Sequence, residues 1–120
     1  MVAYTYEVAH PYAAVLTKVP GADSGVKPGY EESIALFIQP VQADQSRVWF
    51  RMAMADFELP ADKVLDFQNT IFLQDKPVLE SQSPRRLPLN LQAEAHTAAD
   101  KASSAYRRYL MQSGVTFGTC

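Results

Sequence analysis

The apolar residues of this chain change their period once, near Leu59. Before that point they recur at every second position, the spacing of a strand with one buried face. Tyr4, Tyr6 and Val8 alternate with Thr5 and Glu7, and a second run follows His10-Pro11 from Tyr12 to Val19. Pro20-Gly21-Ala22-Asp23-Ser24-Gly25 is turn chemistry, extended by Lys27-Pro28-Gly29 into a loop. A third strand reads Ser33 to Gln39 and is expected to stop at Pro40. A short polar connection, Gln42 to Ser46, then leads to a fourth strand from Arg47 to Met54, which predicts a hairpin. In that last strand Val48, Phe50 and Met52 share one face, and Trp49 shares the other with Arg47 and Arg51.

After Leu59 the spacing is helical. Pro60 suits a first turn, Asp62 complements the helix dipole, and the stripe runs through Val64, Leu65, Phe67, Ile71, Phe72, Val78 and Leu79 to Gln82. Pro77 predicts a kink or a restart. Ser83 to Leu89 reads as an extended link. A last helix is expected over 96–114, opened by a capping arrangement in Thr97-Ala98-Ala99-Asp100 and closed at Gly114. The pattern predicts an α+β fold, with antiparallel strands over 1–58, a long helix over 59–82 and the C-terminal helix. Four strands leave a sheet edge open and part of the long helix uncovered.

With 120 residues the chain has room for one domain, or a piece of one. A formal charge of -2 gives no reason to expect nucleic acid or an anionic membrane as partner. No apolar run approaches the roughly 18 residues that span a bilayer, and residues 1–7 lack the pattern of a secretion signal. Cys120, the single cysteine, is terminal, so an internal disulfide and a cysteine-pair metal site are excluded. These features predict a cytoplasmic protein.

One residue does not fit its surroundings. On a helical wheel Val64 and Ile71 lie about 20° and 40° to one side of Asp75, and Leu79 and Phe72 about 40° and 60° to the other. Asp75 therefore falls near the centre of the apolar stripe, with Gln68 and Gln82 on the same line. A carboxylate buried there without a partner costs several kcal/mol, about 3 or more, so a metal, an arginine or water should compensate it. The plainer alternative is an acid that is half exposed or paired with a nearby cation. His10 and His96 lie far apart and read as surface or capping residues. Arg85-Arg86 and Arg107-Arg108 suit solvation or a local carboxylate such as Glu94 or Asp100. Neither a glycine-rich phosphate loop nor a Gly-x-Ser-x-Gly elbow is present.

The run Phe72-Leu73-Gln74-Asp75-Lys76-Pro77-Val78-Leu79-Glu80-Ser81-Gln82, then Leu87-Pro88-Leu89, Asp100 and Tyr106-Arg107-Arg108-Tyr109-Leu110, resembles the C-terminal end of Rieske non-haem iron oxygenases of the vanillate demethylase and pheophorbide oxygenase type. Phe37 to Val41 and Arg47 to Phe50 resemble strands of the same catalytic domain. The resemblance implies part of a helix-grip (Bet v 1/START-like) domain. It implies an intact enzyme that uses dioxygen at a mononuclear Fe(II), fed by a 2Fe-2S Rieske cluster and a reductase. The substrate would be a small aromatic molecule, ring-hydroxylated or O-demethylated. By the same resemblance Asp75 is the carboxylate iron ligand, and Phe67, Gln68, Ile71 and Phe72 lie near the substrate.

The chain lacks the cluster motif and the close histidine pair of that family. Residues 1–120 are therefore expected to be a C-terminal portion of a catalytic domain, with no catalytic residue of its own, no cofactor bound by itself and no activity alone. The alternative is a stand-alone helix-grip module that binds a small aromatic or lipid-like ligand. A further reading is a fragment that forms a homo-oligomer by closing its open edge with a second copy.

Overall fold

The computed structural model describes residues 1–54 and 58–120; the end of the expected strand region, 55–57, lies outside the described residues. Four strands form one antiparallel meander: β1 (Val2–His10), β2 (Ala13–Pro20), β3 (Glu32–Gln42) and β4 (Gln45–Met54), paired in chain order. A long helix α1 (Ala61–Glu80) and a C-terminal helix α2 (Lys101–Gln112) follow, completing the α+β arrangement.

The register sorts side chains onto two faces. Tyr6 pairs with Leu16, Leu16 with Ile34 and Ile34 with Met52, and Val8, Ala14, Leu36 and Phe50 form the adjoining row. Pairs directly opposite share a face, so these rows make one apolar surface. The other face carries Phe37 opposite Trp49, with the Arg47 guanidinium 5.8 Å from the Trp49 ring centroid. The fourth strand thus divides its residues as its alternation predicts.

The two proline positions turn out differently from a simple stop or restart. Strand β3 does not stop at Pro40, which pairs with Ser46. The Ile38 N–H donates to the Tyr12 carbonyl (2.8 Å), so the Pro40 nitrogen points to the same side, where β2 has already turned away. A missing donor costs nothing there, and the register shifts just beyond it. The polar connection is in turn shorter than read, because Gln42 and Gln45 already pair. Nor does α1 restart at Pro77: the helix runs through it to Glu80, and the Ser81 N–H donates to the Pro77 carbonyl (3.1 Å).

The C-terminal region is knitted by polar contacts. Thr97 and Asp100 form a capping box, with the Thr97 N–H donating to Asp100 Oδ2 (2.7 Å) and the Ala99 N–H to Thr97 Oγ1 (3.3 Å). At the far end Gly114 takes φ 68°, the Val115 N–H reaches the Leu110 carbonyl (3.0 Å) and the Gly114 N–H reaches Met111 (3.2 Å). Those two bonds are the Schellman closure. Leu87 and Leu89 pair through their backbones with Gly118 and Cys120, tying the link to the tail. Among the described residues Val64, Pro88, Arg107 and Leu110 are buried. No helix among them is long and apolar enough to cross a membrane.

Candidate functional site

Between the apolar sheet face and the two helices lies a cavity of about 510 Å³. Helix α1 contributes Gln68, Ile71, Phe72 and Asp75, which stand at i, i+3, i+4 and i+7 and so share one face. The sheet contributes Tyr6, Val8, Leu16, Ile34 and Leu36, and α2 contributes Ala102, Ser103 and Tyr106. Aliphatic and aromatic walls with a few polar groups are the usual make-up of a small-molecule site.

Asp75 reaches the cavity but is exposed, not buried as its place on the stripe implies. The physical reason is the thin cover over α1: Val64 is buried, while Leu65, Leu73, Val78 and Leu79 are exposed along with it. Lys76, next in sequence, is engaged with Glu80 (3.7 Å). Of the residues expected near a substrate, Gln68, Ile71 and Phe72 line the cavity with Asp75, whereas Phe67 does not and is exposed.

The sheet side holds a charged pair absent from the sequence reading. Lys18 Nζ lies 3.3 Å from Glu32 Oε1 on the cavity-facing side, with Lys18 on the wall. Cross-strand pairing places them opposite each other, a relation that needs the register of β2 and β3. Tyr106 also went unassigned by the sequence. Its hydroxyl donates to the Pro11 carbonyl (2.5 Å), fastening α2 to the β1–β2 turn, and burial raises its pKa. Arg107, beside it, is buried at 6% exposure. Its Nε donates to the Pro88 carbonyl (3.0 Å) and its Nη groups to Ser103 and Glu94. Of the two carboxylates expected to hold an arginine, Glu94 does so.

The remaining candidates lie elsewhere. His10 Nδ1 accepts from the Tyr12 N–H (3.3 Å) in the β1–β2 turn, and His96 is half-buried before the capping box. The Cys120 thiol lies against the Arg86 carbonyl (3.5 Å). Neither histidine nor the cysteine lines the cavity. Among the described residues no three His, Cys, Asp or Glu side chains gather closely enough to hold a metal. The cavity lining offers the Asp75 carboxylate as an oxygen donor of the type iron accepts.

The family model of the vanillate O-demethylase oxygenase C-terminal domain matches residues 2–114. The chain belongs to this family. It is also 41% identical over 117 residues to the probable methylxanthine N7-demethylase of Pseudomonas sp. (strain TJI-51). That match covers 97% of this chain and 40% of the relative, so the chain spans about two fifths of the length of the curated relative it matches. The resemblance read from Gln74-Asp75-Lys76 and Tyr106 to Leu110 therefore holds at the level of a C-terminal domain of a Rieske-type oxygenase or demethylase.

Proposed function

We propose that this chain forms the wall and one ligand arm of an oxygenase active site, as the C-terminal portion of a helix-grip catalytic domain. The observation that carries the reading is Asp75 on the cavity wall, one and two turns beyond Phe72, Ile71 and Gln68 on the same helix face. Asp75 would supply the carboxylate of a two-histidine, one-carboxylate ferrous site whose histidines come from outside these residues. When bound, the ferrous ion supplies dioxygen activation, with electrons delivered by a reductase through a Rieske cluster elsewhere in the enzyme. The chain's own part is placement. Ile71, Phe72 and Leu36 exclude water around a flat aromatic substrate, and Gln68 offers an amide donor and acceptor to its polar edge. The reaction proposed is hydroxylation of a methyl group bound to a heteroatom of a small aromatic molecule: dioxygen, two electrons from the reductase and two protons give the hydroxymethyl group and water, and cleavage of its heteroatom–carbon bond frees formaldehyde and the demethylated product.

The test uses the longer oxygenase polypeptide that contains this segment. Asp75→Ala is expected to lose bound iron by elemental analysis and to abolish turnover. Because Asp75 is exposed, the unfolding midpoint should stay unchanged. Stoichiometric iron with normal turnover would overturn the assignment.

The cavity also favours a second reading, a helix-grip module that binds a small aromatic or lipid-like ligand without iron. Saturable binding of an apolar dye to the iron-free chain, weakened by Phe72→Asp, is its expected signature. No saturable binding removes it.

A further inference from the structure

Two hydroxyl-bearing residues of α2 line the cavity, Ser103 and Tyr106. The Tyr106 proton is spent on the Pro11 carbonyl. Ser103 is engaged the other way round: Arg107 Nη1 donates to its Oγ and, at 3.3 Å, to its carbonyl. A guanidinium has donors only and stays charged, so in this contact the serine oxygen is always the acceptor. Its own proton must go elsewhere. Helical hydroxyls usually give it to a backbone carbonyl one turn back, as Thr70 does to Asp66 (2.8 Å) and Ser81 to Val78 (2.7 Å). Ser103 accepts from Arg107 and donates to no group among the described residues.

We propose that Ser103 gives this proton to a carbonyl oxygen on the ring of the substrate and so selects for aromatic molecules that carry one. The proposal deepens the reading of this cavity as a substrate site and rests on it. Two features make Ser103 selective. The Arg107 charge polarises the hydroxyl and strengthens it as a donor. The cavity walls around it are largely apolar, so a bound ring without an acceptor leaves the proton unpaired, which costs more than the bond gains. Ser103 is therefore a specificity-determining residue, distinct from the carboxylate on α1. Its neighbour Ser104 does not line the cavity and has no part in this.

Dissociation constants from calorimetry on the longer oxygenase polypeptide test the proposal with two probes. One is a xanthine methylated on its imidazole ring, which has ring carbonyls; the other is the purine methylated at the same nitrogen, which has none. Wild type is expected to prefer the xanthine. Ser103→Ala should weaken the xanthine about three- to tenfold and leave the purine unchanged or tighter, because the unpaired donor is gone. Ser103→Thr keeps the hydroxyl and should restore the preference. Ser103→Cys, a weaker donor of similar shape, should fall between serine and alanine, and Ser104→Ala should match wild type. If Ser103→Ala and Ser103→Cys weaken both probes alike, or neither, the hydroxyl serves the protein and not the substrate, and the proposal is overturned while the cavity reading stands. Wild type that binds neither probe overturns both. Affinity is read without turnover, so a failure of the Asp75 assignment would leave this result legible.

Discussion

Helices α1 and α2 come from one chain of ordinary composition, yet they are held in opposite ways. Helix α2 is pinned by Tyr106 to Pro11 and by Arg107 to Pro88, and it buries Leu110. Helix α1 buries Val64 and leaves Leu65, Phe67, Leu73, Val78 and Leu79 exposed. The residues that line the cavity come mainly from the sheet and from α1, the more loosely covered of the two helices. Stability and proposed function are therefore divided: α2 and its link are built to stay, and α1 presents a face.

That division predicts a steep gradient in mutational cost. The largest effects are expected at Arg107 and Leu110. Arg107→Ala leaves the buried Pro88 carbonyl and the part-exposed Glu94 carboxylate without their donor, at a cost of roughly 2–3 kcal/mol. Urea unfolding measures it, and a loss below about 1 kcal/mol would mean that the clamp is solvated and the contrast between helices is false. Leu110, at 2% exposure, is comparable. Leu110→Ala should cost about 3 kcal/mol, because the helix end fixed by the Schellman turn cannot collapse into the space.

Tyr106→Phe removes one hydrogen bond and keeps the ring on the cavity wall, so about 1 kcal/mol is expected. This contact also has a pH signature. Burial raises the folded-state pKa of Tyr106, so its contribution is complete below the unfolded-state value and is lost as pH rises through the folded one. Tyr106→Phe should therefore remove part of the alkaline fall in stability. Equal alkaline limbs in wild type and variant would place the hydroxyl in water. On α1 the expectation reverses: Leu79→Ser should change stability by no more than about 0.5 kcal/mol, since the side chain is already exposed. A cost of several times that would show that something covers α1 in solution.

How much of this was legible in the sequence depends on whether the cause is local. The strand faces, the Thr97–Asp100 box and the Gly114 cap are set by residues a few positions apart, and all three were readable. So was Asp75's place beside Gln68, Ile71 and Phe72, because helical spacing alone puts them together. What stayed hidden needs contacts distant in sequence. Tyr106 reaches Pro11 and Lys18 reaches Glu32 only once the meander and the α2 docking exist. The Pro40 misreading has the same root, since whether a lost strand N–H matters depends on which neighbour stands opposite. Asp75's exposure is of this kind too: the wheel gives its direction, and only the sheet tells how much lies over it.

The smallest effect tests how the two helices begin. Helix α1 starts at Pro60 with no side-chain cap, whereas the turn leading into α2 is closed by Asp100. The Thr97 backbone N–H, and then its hydroxyl, hold the Asp100 carboxyl below its ordinary pKa. A depressed folded-state pKa stabilises above the unfolded value, and the contribution fades as pH falls through the folded one. Wild type should therefore exceed Asp100→Asn in thermal midpoint near neutrality, and the two should converge in acid. Asparagine keeps an acceptor but not the charge, and Asp100 stays partly exposed to solvent, so the gap should be small and shrink further with salt. If wild type and Asp100→Asn trace the same acid limb, the capping box contributes nothing particular to α2, and the firmness of that helix rests on Arg107, Tyr106 and Leu110 alone.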